Sequence, residues 1–185
     1  MRYFKHEQAL VGAKANIGDN TRVWAFTNIQ DGAVIGAHCN ICDGCFVEKG
    51  AVVGSRVTVK NNVAIFDGIT IEDEVFVGAN ITFINDRHPR SPNDGQWSLE
   101  KTIVRKGATL GAGSTIMGGL EIGEYAFIGA GSVVTKNVAP YTMCYGNPAR
   151  EKGYVCRCGK MLDAKLTCGC GKKYHPSKKG LAPDE

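Results

Sequence analysis

The residues most able to do chemistry lie near the end of the chain. Cys156 and Cys158 are followed by a turn of nine residues and then by Cys168 and Cys170. Four thiols in two close pairs around a hairpin suit a tetrahedral Zn²⁺, because each thiolate is a soft, anionic ligand and Zn²⁺ takes four of them. The surrounding stretch, residues 151–185, is poor in apolar side chains and has little of its own to fold around, so a metal staple would replace a core. The C-x-C spacing leaves a reduced, unliganded tail and disulfides as alternatives. A second cysteine group, Cys39, Cys42 and Cys45, is spaced six apart at its ends and falls in step with a repeat that predicts packed thiols instead. Histidine is sparse: His88 is the one near the loop described next, and it could act as a base.

These candidates must be held by a backbone, and its signature runs from residue 11 to residue 139. An aliphatic or aromatic residue returns every sixth position: Val11, Ile17, Val23, Ile29, Ile35, Ile41, Val47, Val53, Val59, Ile65, Ile71, Val77 and Phe83, then Val104, Leu110, Ile116, Ile122, Ile128 and Val134. A period of six marks a parallel β-helix, in which each hexad is a short strand and a corner and only stacking buries the apolar row. A smaller residue four positions on (Ala15, Thr21, Thr27, Ala33, Cys39, Cys45) supplies a second inward position. Glycine often follows the aliphatic, as at Gly12, Gly36 and Gly111, and is expected there to relieve strained dihedrals at the corner. Residues 1–10 are expected to cap the open first turn. Trp24 and Phe26 are too large for the narrow core and should point outward, toward a subunit interface.

The frame breaks once, over residues 84–103, with two prolines, Gly95, Trp97 and alternating charge. A loop of this length in a repeat array is usually functional, and this one is expected to reach over a neighbouring subunit. Charge excludes some partners. Net charge is +4, but residues 151–185 hold 8 Lys+Arg against 4 Asp+Glu, so the preceding 150 residues balance at 14 and 14. A basic excess confined to the tail argues against nucleic acid. No apolar run approaches the roughly 18 residues of a membrane span and the start lacks a signal-peptide core, so a cytoplasmic protein with no membrane partner is expected.

The stretches N-N-V at 61–63, F-x-N-D-x-x-P-R-S at 83–91, V-x-T-K-N-V-x-P at 133–140 and G-N-P-A-R at 146–150 resemble the hexapeptide-repeat acyltransferases. Among these the chain is most similar to the bacterial N-acetyltransferases of 3-amino sugars linked to UDP or dTDP, which serve surface-polysaccharide assembly. The resemblance covers about residues 6–150. It implies an all-β fold, a left-handed parallel β-helix with a protruding loop, and a homotrimer with acetyl-CoA laid along the C-terminal turns. Asn85 then matches the Asn that opens the family's loop, where it would hold the sugar or orient the amine, with His88 beside it as a candidate base. Lys136 and Arg150 match the closing motif and would meet CoA phosphates, while the corners at Gly111, Gly118 and Ala130 would offer exposed N–H groups to the pantetheine arm. The C-x-C-G knuckles resemble a structural appendage of some members. The expected division is an acyltransferase domain at 1–150 and a zinc-binding tail at 151–185. Alternatives are O-acetyl transfer to a hydroxyl and a non-enzymatic scaffold. A γ-class carbonic anhydrase is excluded, since its zinc needs three histidines on adjacent turns and only His38 and His88 lie in the coil or its loop.

Overall fold

The computed structural model describes residues 3–91 and 98–184. The two-residue strands of successive hexads stack into three parallel sheets that form the faces of a prism. The regular step between neighbours in a sheet is 18 residues: Arg22 pairs with Asn40, Asn40 with Thr58, and Thr58 with Phe76. Three hexads therefore make one turn. The repeating aliphatic points inward on every face, and Val23, Ile41, Val59, Ile71, Leu110 and Ile122 are wholly buried. The second inward position is buried too, at Ala33, Ala51, Val57 and Val63.

Polar residues in that second position bond to the backbone. The Thr21 hydroxyl donates to Gly36 O at 2.7 Å and Thr27 to Cys42 O at 2.8 Å, as buried hydroxyls must. Cys39 and Cys45 imitate them, with Sγ donating to Gly54 O at 3.0 Å and Lys60 O at 3.2 Å. They are packed thiols on different faces, as their register predicts, and burial pushes the Cys45 thiol up to about 11.

Two expectations need correction. The glycine after the aliphatic does not sit in the left-handed region. That conformation falls two residues later, at Phe26 (φ 58°), His38 (φ 58°), Gly113 (φ 68°) and Tyr125 (φ 53°). Glycine is required after the aliphatic by close approach: a Cβ on Gly111 would lie 2.4 Å from Ala130 N in the next turn. The first residues are not a separate cap either, because Phe4–Lys5 pairs in register with Arg22–Val23 and simply continues the repeat. Trp24 is held within its own chain, its indole donating to Asn40 Oδ1 at 2.7 Å and its ring lying 5.4 Å from Phe4. Phe26 is 67% exposed, and both rings lie outside the core, as their size predicts.

The break in the frame is an insertion at one corner. Phe83 pairs across to Ile116 and Val104 sits above Ile71, so the 21 steps from Phe83 to Val104 replace the usual 6 and add 15. The chain is back on the coil by Thr102–Val104, slightly earlier than the sequence suggested. Trp97 lies outside the described residues.

At the far end, the eighth strand of one face, Thr142–Tyr145, pairs antiparallel with Arg150–Tyr154. This strand spans the expected domain boundary. The remaining tail folds as two small turns and a hairpin, Tyr174–Ser177 with Gly180–Pro183, around a second cluster of Tyr141, Cys156, Cys168, Tyr174 and Leu181.

Candidate active site

The corners of a solenoid stack into columns, and the columns decide which predicted residues meet. Phe83, Ile116 and Val134 share one face, so Asn85, Gly118 and Lys136, each two residues further on, occupy one column in three successive turns. Asn85 is half-buried and His88 exposed. The local turn is set by Asp86, whose Oδ1 accepts the His88 N–H at 2.8 Å. The His88 imidazole meets no partner among the described residues, so no histidine dyad is formed.

Gly118 was expected on an open corner and is buried. Its carbonyl accepts both Nε, at 2.9 Å, and a terminal nitrogen of Arg87, and a Cβ there would lie 2.7 Å from Glu100 Oε2. Arg87 Nε is in turn 2.7 Å from Glu100 Oε2. The two ends of the insertion are thus tied together over Gly118. Neither Arg87 nor Glu100 stands out in the sequence, since their pairing depends on where the insertion returns.

Gly111 and Ala130 lie on a neighbouring column, where the corner residues from bottom to top are Ala25, Asp43, Asn61, Ala79, Ala112 and Ala130. Some lower corners close their N–H groups on a side chain one turn up: Ala25 N–H donates to Asp43 Oδ1 at 3.1 Å, and elsewhere Ser55 N–H donates to Asp73 Oδ1 at 2.7 Å, whereas the N–H groups of Asp43, Asn61 and Ala79 meet no acceptor among the described residues. Ala112 and Ala130 offer no such side chain. Both are exposed, and the N–H groups of both meet no acceptor among the described residues. Gly111's own N–H is already given to Ile128 O at 2.8 Å. The open donor is therefore Ala112, one residue beyond the position the sequence suggested, and legible only once the corner column is known. A Cβ on Gly113 or Gly131 would meet nothing within 4 Å, so the outer surface here is open to a ligand lying flat on the backbone.

Lys136 and Arg150 come together. Both line a cleft of about 230 Å³ with Thr135, Asn137, Cys144 and Glu151 at the last turns of the coil. Arg150 is exposed, with one terminal nitrogen bonded to Ala149 O at 3.0 Å. Burial, then the nearby Glu151 carboxylate, raise the Cys144 thiol, so it stays neutral beside the two cations. The four tail cysteines also come together, all Sγ atoms lying within 4.8 Å of one another.

The family model for the bacterial transferase hexapeptide (six repeats) matches residues 14–49 and 101–136. Over 80 residues the chain is 55% identical to the dTDP-3-amino-3,6-dideoxy-alpha-D-galactopyranose 3-N-acetyltransferase of Aneurinibacillus thermoaerophilus, covering 42% of each chain. It is 43% identical over 68 residues to the serine acetyltransferase of Escherichia coli K12, covering 37% of this chain and 20% of that one. The chain therefore matches less than half the length of these curated relatives. Among solved structures, it is similar to a hexapeptide-repeat acetyltransferase of Vibrio cholerae O1 biovar eltor complexed with acetyl coenzyme A, with 20% identity over 75% of this chain and 70% of that chain and a TM-score of 0.47.

Proposed function

We propose that the protein moves an acetyl group from acetyl-CoA to the 3-amino group of a nucleotide-linked amino sugar destined for surface polysaccharide. The observation that carries this reading is the pairing of unclosed N–H groups at Ala112 and Ala130 with the Lys136–Arg150 cleft. A coenzyme with two amides in its arm and phosphates at its far end needs backbone hydrogen bonds along a smooth ridge and fixed cations at the end of it. The similarity to a 3-amino-sugar N-acetyltransferase supplies the acceptor class.

In the reaction the amine nitrogen attacks the thioester carbonyl, the C–N bond forms and the C–S bond breaks. The amine's proton leaves with the CoA thiolate, directly or through water. Most of the rate then comes from positioning two large substrates, with Asn85 at the acceptor. A neutral amine needs little help from a base, which fits an unpartnered His88.

The reading extends to a homotrimer in the cytoplasm, with the insertion of each subunit covering its neighbour's groove, to an acyltransferase unit at 1–150 carrying a tail at 151–185, and to a structural Zn²⁺ in that tail. The test is CoA thiol release measured with a thiol-reactive dye, using acetyl-CoA and a panel of 3-amino sugar nucleotides, the matching 3-hydroxy sugars and serine. Release only with the amines is expected. Release with serine or the hydroxy sugars alone would make this an O-acetyltransferase, and none with any acceptor would favour a scaffold.

A further inference from the structure

Acetyl transfer leaves the cysteine cluster unused, and the structure gives it more definition than four nearby thiols. The two halves repeat one another. In residues 156–160 and 168–172, C-x-C-G-K in both, the first cysteine's N–H donates to the lysine carbonyl at 2.9 and 2.8 Å. The glycine N–H donates back to that cysteine's carbonyl at 2.8 Å in each. Gly159 and Gly171 have φ of 85° and 90°, a conformation that glycine adopts without strain. The halves face each other with Cys156 Sγ 3.6 Å from Cys170 Sγ and Cys158 Sγ 3.5 Å from Cys168 Sγ. A tetrahedral ion with bonds of about 2.3 Å holds its sulfurs roughly 3.8 Å apart, so the two close pairs stand within a few tenths of an ångström of that spacing, and all four sulfurs lie within 4.8 Å of one another. Arg157, Lys160 and Lys172 lie in the turns themselves and offset the negative charge of four thiolates.

The cluster is also wired to the coil. The Tyr174 hydroxyl donates to Cys156 Sγ at 3.1 Å and accepts the Arg157 N–H at 3.0 Å. Arg157, placed between Cys156 and Cys158, donates from Nε to the Tyr141 hydroxyl at 3.0 Å, and its guanidinium lies 4.9 Å above the Tyr125 ring. Tyr125 and Tyr141 stack at 5.3 Å on successive turns of one corner column, and Tyr174 packs on Tyr141 at 5.2 Å. Val155 N–H closes on Tyr141 O at 2.8 Å. Between the cysteines and the solenoid's last face runs Arg150–Tyr154, the strand that covers what would otherwise be an open sheet edge.

We propose that the tail is a zinc-dependent cap on the C-terminal end of the solenoid: one Zn²⁺ fixes Tyr174 and Arg157, and these two side chains latch the tail onto Tyr141 and Tyr125. This rests on the reading of the tail as a structural zinc site. It adds that the metal orders the end of the coil, including the strand that carries Arg150.

The experiment takes the full chain as purified. Elemental analysis is expected to find one zinc per chain, and hydrogen exchange is followed before and after a strong chelator. Chelation should strip protection from residues 142–184, with the amides of Val155 and of Arg150–Tyr154 exchanging at least about tenfold faster, while the lower turns keep theirs. Tyr174→Phe, which keeps the ring, should weaken zinc retention against a competing chelator by about tenfold. Arg157→Gln should keep the zinc yet lose the protection at Val155. Absence of zinc would overturn the metal site and the cap together. Zinc that is bound and then removed without changing exchange at 150–155, or Arg157→Gln with full protection there, would overturn the cap alone.

Discussion

Arg87 and Glu100 face each other across the neck of the insertion, 2.7 Å apart, with the Arg87 guanidinium also bonded to the carbonyl of Gly118. Both side chains are about a third exposed, so the pair is worth only about 1 kcal/mol to global stability. Its larger effect is local, because it fixes the segment that presents Asn85. Arg87→Ala should leave the melting temperature nearly unchanged, speed proteolytic nicking within residues 84–103, and lower kcat by about tenfold or more through misplacement of the acceptor. Arg87→Lys keeps the charge and loses the fork on Gly118, and should recover part of the loss. Unchanged nicking in Arg87→Ala would show that the pair does not hold the neck.

Two glycines in one corner should respond in different ways. Gly111→Ala places a methyl 2.4 Å from Ala130 N in the turn above, whereas Gly113→Ala meets nothing within 4 Å but must adopt φ of 68°. The first forces two turns apart and should cost about 2–3 kcal/mol, as overpacked positions do. The second should cost about 1 kcal/mol, the usual penalty for a side chain in the left-handed region. Thermal unfolding of the two variants checks the order, and the reverse order would contradict the account of the corners.

The period of six is enough to read the solenoid, the direction of each inward side chain and the burial of Cys39 and Cys45, because a single spacing governs all three. The reason for the corner glycines was not legible. Dihedral strain and close approach both select glycine, and only the 18-residue stacking of Gly111 under Ala130 tells them apart. The cysteine cluster was visible from four residues of one type in two pairs. The latch beneath it was not, since Tyr125, Tyr141 and Tyr174 are far apart in sequence and Tyr125 and Tyr141 meet only because they share a column. The same holds for Ala112, whose free N–H is defined by the absence of an acceptor one turn higher.

Arg105 bridges two turns, with Nη1 2.7 Å from Glu72 Oε1 and Nε 2.9 Å from Glu121 Oε1. The hydrogen bond from Arg105 holds the Glu121 carboxyl below its usual range. A carboxylate whose folded pKa is lowered stabilises the fold above its unfolded value of about 4.3 and loses that contribution as pH falls through the folded value. The melting temperature should therefore drop more steeply below about pH 4 in the parent protein than in Arg105→Gln, while the two differ by a constant amount near pH 7. Parallel curves across the acid range would rule the bridge out as a source of acid sensitivity.

His88 and Asn85 should separate on mutation. General base catalysis contributes about 10²- to 10⁴-fold, but an amine that is already neutral in a fraction of molecules needs mainly to be held. His88→Asn should lower turnover by less than about tenfold, and Asn85→Ala should cost more. A loss of about a thousandfold for His88→Asn with KM unchanged would make the imidazole the base.

In the proposed reaction the last turns of the coil bind acetyl-CoA and pass its acetyl group to a sugar amine. The most direct measurement is mass spectrometry of a dTDP-linked 3-amino sugar and its 3-hydroxy counterpart after incubation with the protein and acetyl-CoA, for the parent and for Lys136→Ala with Arg150→Ala. The account predicts one acetyl added to the amino sugar and none to the hydroxy sugar, with the double variant needing about tenfold more acetyl-CoA for half-maximal rate, as befits the loss of charge-assisted contacts. Acetylation of the hydroxy sugar in preference to the amine, or a double variant with the parent's requirement for acetyl-CoA, would contradict it.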